Sequence, residues 1–216
     1  MPEILFADEA IAVCLKPSGV LSQGDGDAAL PALLRAQLGG EIYPIHRLDQ
    51  PVGGVMVFAR TREAAAKLSA AMQTEAFSKR YLAVLDSAPE QPEGTLRDLL
   101  FFDRSRNKSF VVRRKRAGVK EALLSYRTLG AAEGLTLVSV RLHTGRTHQI
   151  RVQFASRGMP LLGDGKYGSR SNRCAVALWS AALCFPHPTT GEALSFTAQP
   201  PQVYPWSLFS PAEDSE

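Results

Sequence analysis

Apolar residues recur along this chain in short runs closed by turn residues, the signature of many strands rather than long helices. Strand-like runs fall at residues 4–7, 11–15, 54–59, 79–85, 95–102, 109–113, 122–129 and 135–143. Asp8-Glu9, Pro17-Ser18-Gly19 and Glu133-Gly134 are among the turn signals between them. The last run alternates imperfectly, with Leu135, Leu137, Ser139, Arg141 and His143 set against Thr136, Val138, Val140 and Leu142. That suits a strand covered on both faces over part of its length.

Three stretches carry helical spacing. Asp27 as a cap opens the first, which runs to about Leu38 and ends at Gly39-Gly40. Thr61 caps an alanine-rich stretch over 62–76, with Leu68 and Met72 four residues apart on one face. Residues 147–157 end at Gly158; Ile150 and Phe154 form an apolar stripe, while His148 and Arg151 share a different face. The pattern predicts a sheet-rich, mixed α+β chain with helices interspersed. No repeat, low-complexity segment or linker interrupts it, and only 211–216 reads as a frayed acidic tail.

Composition narrows the classes. With 216 residues, 45% apolar and 21% charged, the chain suits one well-cored domain and not a disordered protein. The net charge of +4 is unevenly spread: Arg104, Arg106, Lys108, Arg113, Arg114, Lys115, Arg116 and Lys120 follow one another with no acid between them. Such a stripe attracts polyanions, though it is also what a solvated basic hairpin looks like. Three cysteines, an odd number without C-x-x-C spacing, argue against a disulfide framework and for a reducing compartment. Cys184-Phe185-Pro186-His187 resembles half a zinc site, but no second pair of ligands follows, so packing is the simpler reading. No apolar run reaches the ~18 residues of a membrane span. Glu3, Asp8 and Glu9 spoil a signal peptide, and a cytoplasmic location is expected.

The candidate chemistry sits in two clusters, His46-Arg47-Leu48-Asp49 and Thr144-Gly145-Arg146-Thr147-His148-Gln149-Ile150-Arg151. A carboxylate in a partly buried pocket stays ionised only with cationic neighbours, and an ionised, oriented Asp is a nucleophile or a base. Arginine forks hold phosphates. Together they point to attack on a nucleic acid. Each residue also has a plainer reading: Asp49 as the cap of a turn, His46 as a hydrogen-bonded structural residue, Arg47 as a surface charge, Tyr81 as a core aromatic of its strand. Gly163-Asp164-Gly165-Lys166-Tyr167-Gly168 fits neither a Walker loop nor a dinucleotide fingerprint, and suggests a tight loop shaping a pocket wall.

The chain resembles the RluA-type RNA pseudouridine synthases. The resemblance rests on Lys16-Pro17-x-Gly19, His46-Arg47-Leu48-Asp49, Lys79-x-Tyr81-x-Ala83, Thr144 to Arg151, Gly158-x-Pro160 and Gly163-Asp164-x-x-Tyr167-Gly168, in that order over residues 11–168. The chain departs from the family where Gln50-Pro51-Val52-Gly53-Gly54 replaces the usual x-x-Thr-Ser-Gly, and where Gln153 stands for a common His. The resemblance implies a mixed, mainly antiparallel central sheet with flanking helices and an RNA-binding cleft. It implies a single catalytic domain over 1–210, with no separate N-terminal RNA-binding module. The implied reaction isomerises a uridine of rRNA or tRNA in a flipped-out nucleotide, with no cofactor and no metal. The expected partner is RNA, with no membrane, and the expected state is a monomer. Asp49 would attack the ribose or take a ribose proton, and Arg151 would pair with Asp49. Tyr81 would stack on the uracil and help to move the C5 proton. Arg47, with His46 beside it, would fill the vacated stack or hold a phosphate, and Arg146 and His148 would organise the site and backbone contacts. A catalytically silent RNA-binding protein, or a glycosylase using an activated water, are the other functions these residues allow.

Overall fold

The structure, a computed structural model, describes residues 1–24 and 26–210; the expected acidic tail at 211–216 lies outside the described residues. In chain order the elements are β1 (Glu3–Ala7), β2 (Ile11–Lys16), α1 (Leu30–Leu38), β3 (Tyr43–Pro44), β4 (Gly53–Ala59), α2 (Arg62–Ala71) and β5 (Ser78–Leu85). They continue with β6 (Glu93–Asp103), β7 (Lys108–Val112), β8 (Val119–Ala132), β9 (Leu135–Leu142), α3 (Gln149–Ala155), β10 (Leu178–Pro186) and β11 (Ala193–Thr197). Short 3-10 turns add Gly165–Tyr167 and Trp206–Leu208. The chain is thus mixed α+β and mainly antiparallel, as expected. It divides into two compact units, one of Met1–Arg80 with Trp179–Pro200, the other of Tyr81–Leu178 with the segment from Pro201.

In the first unit β1 and β2 form an antiparallel hairpin whose turn is closed by Asp8, its Oδ1 accepting the N–H groups of Ala10 and Ile11 at 2.8 Å each. β2 pairs antiparallel with β4, and so does β3. β4 is buried along its whole length, which explains its unbroken apolar run. Its first two residues pair in parallel with Trp179 and Ser180 of β10. Gly53 and Gly54 permit this approach: a side chain at Gly54 would collide with the Ser180 main chain, and its φ of 119° itself favours glycine. β10 and β11 close the unit as a hairpin. Ile11, Val13, Val55, Val57, Leu68 of α2, Phe77, Leu183 and Phe185 make one core. His187 is held by Asp8, Nε2 to Oδ2 at 2.9 Å, while its Nδ1 accepts the N–H groups of Thr189 and Thr190.

In the second unit β7, β6, β8 and β9 pair antiparallel in that order. Leu137 and Val138 are both buried, so β9 is covered on both faces there, as its imperfect alternation predicts. Helix α3 packs on this sheet, placing Val152 against Leu100 and Ala122, and Phe154 edge-on to Tyr126 with ring centres 5.5 Å apart.

The helix boundaries differ from expectation. Thr61 caps α2, its hydroxyl accepting from the Ala64 N–H at 3.1 Å, but the helix stops at Ala71 rather than 76. Helix α1 starts at Leu30, beyond Asp27, with Pro31 in its first turn and Ala29 as an extended cap residue without a side-chain bond. Pro supplies no N–H, so it fits where that donor is orphaned anyway. α3 begins two residues later than predicted because His148 is left-handed, φ 55°, and stands outside the helix as its cap. Among the described residues no helix is long and apolar enough to cross a membrane.

Candidate active site

The loop that carries Asp49 is fastened at every main-chain carbonyl from 48 to 52. Leu48 O accepts from the Ser22 hydroxyl (2.8 Å), Asp49 O from the Val52 N–H (2.9 Å) and Pro51 O from the Ser18 hydroxyl (2.6 Å). Gln50 O accepts from the Gly19 N–H (2.8 Å) and from Lys16 Nζ (3.0 Å), and Val52 O accepts from Lys16 Nζ at 2.7 Å. The same ammonium also donates to Pro17 O at 2.9 Å. Lys16 ends β2 and is 0% exposed, so its charge survives only because carbonyl dipoles replace water around it. Burial pushes its ammonium down to about 8, and the Asp49 carboxylate pulls it back up. Asp49 itself is half-exposed, on a backbone with little freedom left.

The neighbours of Asp49 divide by exposure. Arg47 points to solvent, whereas Leu48 is buried. His46 lies inside the unit, its Nε2 accepting the Val57 N–H at 3.2 Å and its ring edge-on to Phe77. An acceptor Nε2 places the proton of the neutral ring on Nδ1. Burial, with Lys79 adding to it, pushes the imidazole down to about 3, so His46 is neutral near pH 7. Lys79, at the start of β5, stands 5.5 Å from the Phe77 ring centre, and its ammonium is lowered by burial.

In the second unit Tyr81 is buried on β5. Arg151, on the first turn of α3 and 4% exposed, forks onto the wholly buried Asp164: Nε to Oδ2 at 2.6 Å and Nη2 to Oδ1 at 2.8 Å. The guanidinium also covers the Tyr167 ring, 5.1 Å from its centre. Tyr167 Oη in turn accepts the Ser109 N–H at 2.8 Å and bonds His148 Nδ1 at 2.9 Å. His148 and Arg151 thus meet on one aromatic ring. Arg146 is half-exposed and donates Nε to Glu121 O at 2.8 Å; its own N–H is held by Gln149 Oε1 at 3.0 Å. Gln153 ties α3 to β6 through Leu96 O (3.1 Å) and Asp98 Oδ2 (2.7 Å).

Two residues gain roles that spacing did not assign. Lys16 is the clamp of the Asp49 loop, and Asp164 is the fork partner of Arg151. Both were signalled by motifs, Lys16-Pro17-x-Gly19 and Gly163-Asp164-x-x-Tyr167-Gly168, whose function the sequence left open. Chemically, the first unit offers a half-exposed carboxylate on a fixed loop, and the second a locked cation beside aromatic rings.

Residues 10–156 match the family model described as RNA pseudouridylate synthase. An uncharacterised RNA pseudouridine synthase of Aquifex aeolicus is 34% identical, the match covering 94% of this chain and 72% of the relative. A ribosomal large subunit pseudouridine synthase D of Zymomonas mobilis is also 34% identical, over 93% of this chain and 69% of its own. Among solved structures, human RNA Pseudouridylate Synthase Domain Containing 4 superposes with a TM-score of 0.77 at 24% identity, covering 95% of this chain and 91% of its own.

Proposed function

We infer the finer function from one premise: the chain belongs to the RNA pseudouridylate synthase family, whose enzymes isomerise uridine in RNA. In this reading Asp49 is the essential group. The carboxylate opens the N1–C1′ glycosidic bond, by attack at C1′ or by removing a ribose proton. The uracil turns, C5 bonds to C1′ as the carboxylate leaves C1′ or the ribose proton returns, the C5 proton leaves and N1 gains one. No electrons are gained or lost, so the reaction requires no redox cofactor. Arg151 supplies the positive charge Asp49 needs, and Tyr81 stacks on the uracil. Arg47, His46, Arg146 and His148 serve the substrate or its surroundings, with residues 1–210 acting as one cytoplasmic catalytic domain. The relatives named for the large ribosomal subunit make its RNA the first substrate to test.

The observation that carries the assignment is the Asp49 loop itself. Catalysis gains most from a group held in its working geometry before the substrate arrives, and five consecutive hydrogen-bonded carbonyls hold this one. Asp49→Asn keeps the volume and removes the charge. It should abolish single-turnover tritium release from RNA labelled at uracil C5 while RNA affinity stays within a few-fold. A variant that keeps more than a small fraction of the wild-type rate sinks the assignment. Wild-type protein that binds RNA without releasing tritium, or that leaves abasic sites, is a silent binder or a glycosylase.

A further inference from the structure

We propose that the solvent-facing side of the β6–β7–β8 sheet is a stacking platform for single-stranded RNA. The inference rests on the RNA-substrate reading above.

Directly paired residues of antiparallel strands project to the same face. One face is assigned by the helix on it: Leu96, Leu100, Ala122 and Leu124 are buried, and Val152 of α3 packs on Leu100 and Ala122. The other face holds the intervening residues. Phe101 lies opposite both Phe110 and Val119, Leu99 opposite Val112 and Glu121, and Arg97 opposite Leu123. Each of these is half-exposed or exposed. A sheet with one face on a core ordinarily turns polar residues to water on the other. Here the centre of the outer face is apolar, built around a cross-strand pair of phenylalanines, and its surroundings are cationic.

Arg116 stands over the Phe101 ring at 4.9 Å, and Lys108 over the Phe110 ring at 5.8 Å. Arg113 and Arg114 are exposed on the loop that follows β7. From Arg97 to Glu121 nine Lys and Arg face three Asp and Glu. Some of these cations are engaged: Lys115 pairs with Glu121 at 2.9 Å, and Lys108 donates to Lys166 O. Glu121 thus offsets Lys115, and Lys108 also lies 5.0 Å from the Tyr167 ring centre, so the cations of the rim are chiefly Arg113, Arg114 and Arg116.

Half-exposed rings with a mainly cationic rim fit a ligand that presents flat π faces and a run of negative charges. Single-stranded nucleic acid has both, since unstacked bases lie on aromatic side chains while phosphates meet Arg and Lys. A duplex keeps its bases stacked internally and offers nothing to the rings. An acidic peptide would satisfy the cations and leave Phe101 and Phe110 unused. Arg116 need not leave: a guanidinium plane stacks on a base as it does on a ring.

The test is fluorescence anisotropy of the full chain with a 5′-fluorescein oligouridylate, in parallel with a labelled RNA duplex and with polyglutamate as competitor. Phe101→Leu with Phe110→Leu keeps apolar volume and removes both π faces. Stacking contributes about 1–3 kcal/mol per base, so the pair should weaken oligouridylate binding at least about tenfold. Its salt slope should stay unchanged. Arg113→Ala with Arg114→Ala should instead flatten that slope by about 0.7 per lost contact. Phe101→Tyr with Phe110→Tyr, which keeps the rings, should bind as wild type, so a misfolded Leu variant cannot pass for support. Wild-type affinity in the Leu variant, equal loss for duplex and single strand, or displacement by polyglutamate as effective as by unlabelled oligouridylate each overturns the proposal. Because the readout is binding of an oligouridylate, an active Asp49→Asn variant would overturn the catalytic assignment and leave this one standing.

Discussion

His46 should make the first unit acid-sensitive, by an amount its surroundings set. The ring is buried against Phe77, its Nε2 is occupied by the Val57 N–H, and burial with the nearby Lys79 holds it down to about 3. In the unfolded chain an imidazole titrates near its ordinary value of about 6.5. Between those values the unfolded state binds a proton that the folded state refuses, so stability falls as pH falls. Above about 6.5 the contribution is complete; at about pH 4.5, two units lower, about 3 kcal/mol of it is gone at ~1.4 kcal/mol per unit. That is a large share of the roughly 5–15 kcal/mol that holds a domain folded. His46→Gln keeps an oxygen to accept the Val57 N–H and removes the titration. Urea unfolding of both proteins near pH 7 and near pH 4.5 gives the comparison. The wild type should lose about 3 kcal/mol more than the variant across that interval. Equal losses would show that His46 is protonated in the folded protein and that its burial is not what the geometry implies.

Two further perturbations separate chemistry from scaffolding. Lys16→Met removes the ammonium from three carbonyls and leaves Val52 O without its donor, while Gln50 O keeps the Gly19 N–H. Deleting a buried charge offsets part of that loss, so stability should change by less than about 3 kcal/mol. The single-turnover rate should fall at least about tenfold with RNA affinity within a few-fold, and an unchanged rate would show that the loop holds Asp49 without the clamp. Arg151→Leu strands the Asp164 carboxylate and should cost about 3–5 kcal/mol in chemical denaturation, with Arg151→Lys between it and wild type because it keeps charge and loses the fork. Adding Asp164→Asn to Arg151→Leu should restore stability but not tritium release; recovery of both would make Arg151 purely structural.

What the sequence made legible, and what it hid, divide along a physical line. Strands β1, β2 and β4 to β9 announce themselves by runs of apolar residues between turns, and Thr61 announces α2 by a side-chain bond to a neighbour three residues on. β10 was missed: its alternation is masked by Ala181, Ala182 and Leu183 buried in succession, and a short apolar run buried on both sides has no strand period. β3 is two residues long and shows no period at all. At the candidate site, Asp49, Tyr81 and Arg151 are nominated by motifs that also carry Lys16 and Asp164, but the reasons for those two are invisible in the sequence. A lysine's default place is in water, and Lys16 is inside because its partners are main-chain carbonyls, which every residue type possesses and no sequence displays. Asp164 answers a fork thirteen residues away, a pairing that only the fold brings about. Lys16, Ser18, Gly19 and Ser22 all donate to residues 48–52, so a segment of seven residues shapes the loop beside it. The spacing of Lys16-Pro17-x-Gly19 is therefore explained by the backbone it must fasten, and the residue at the centre of that fastened loop, Asp49, lies more than thirty positions downstream of Lys16.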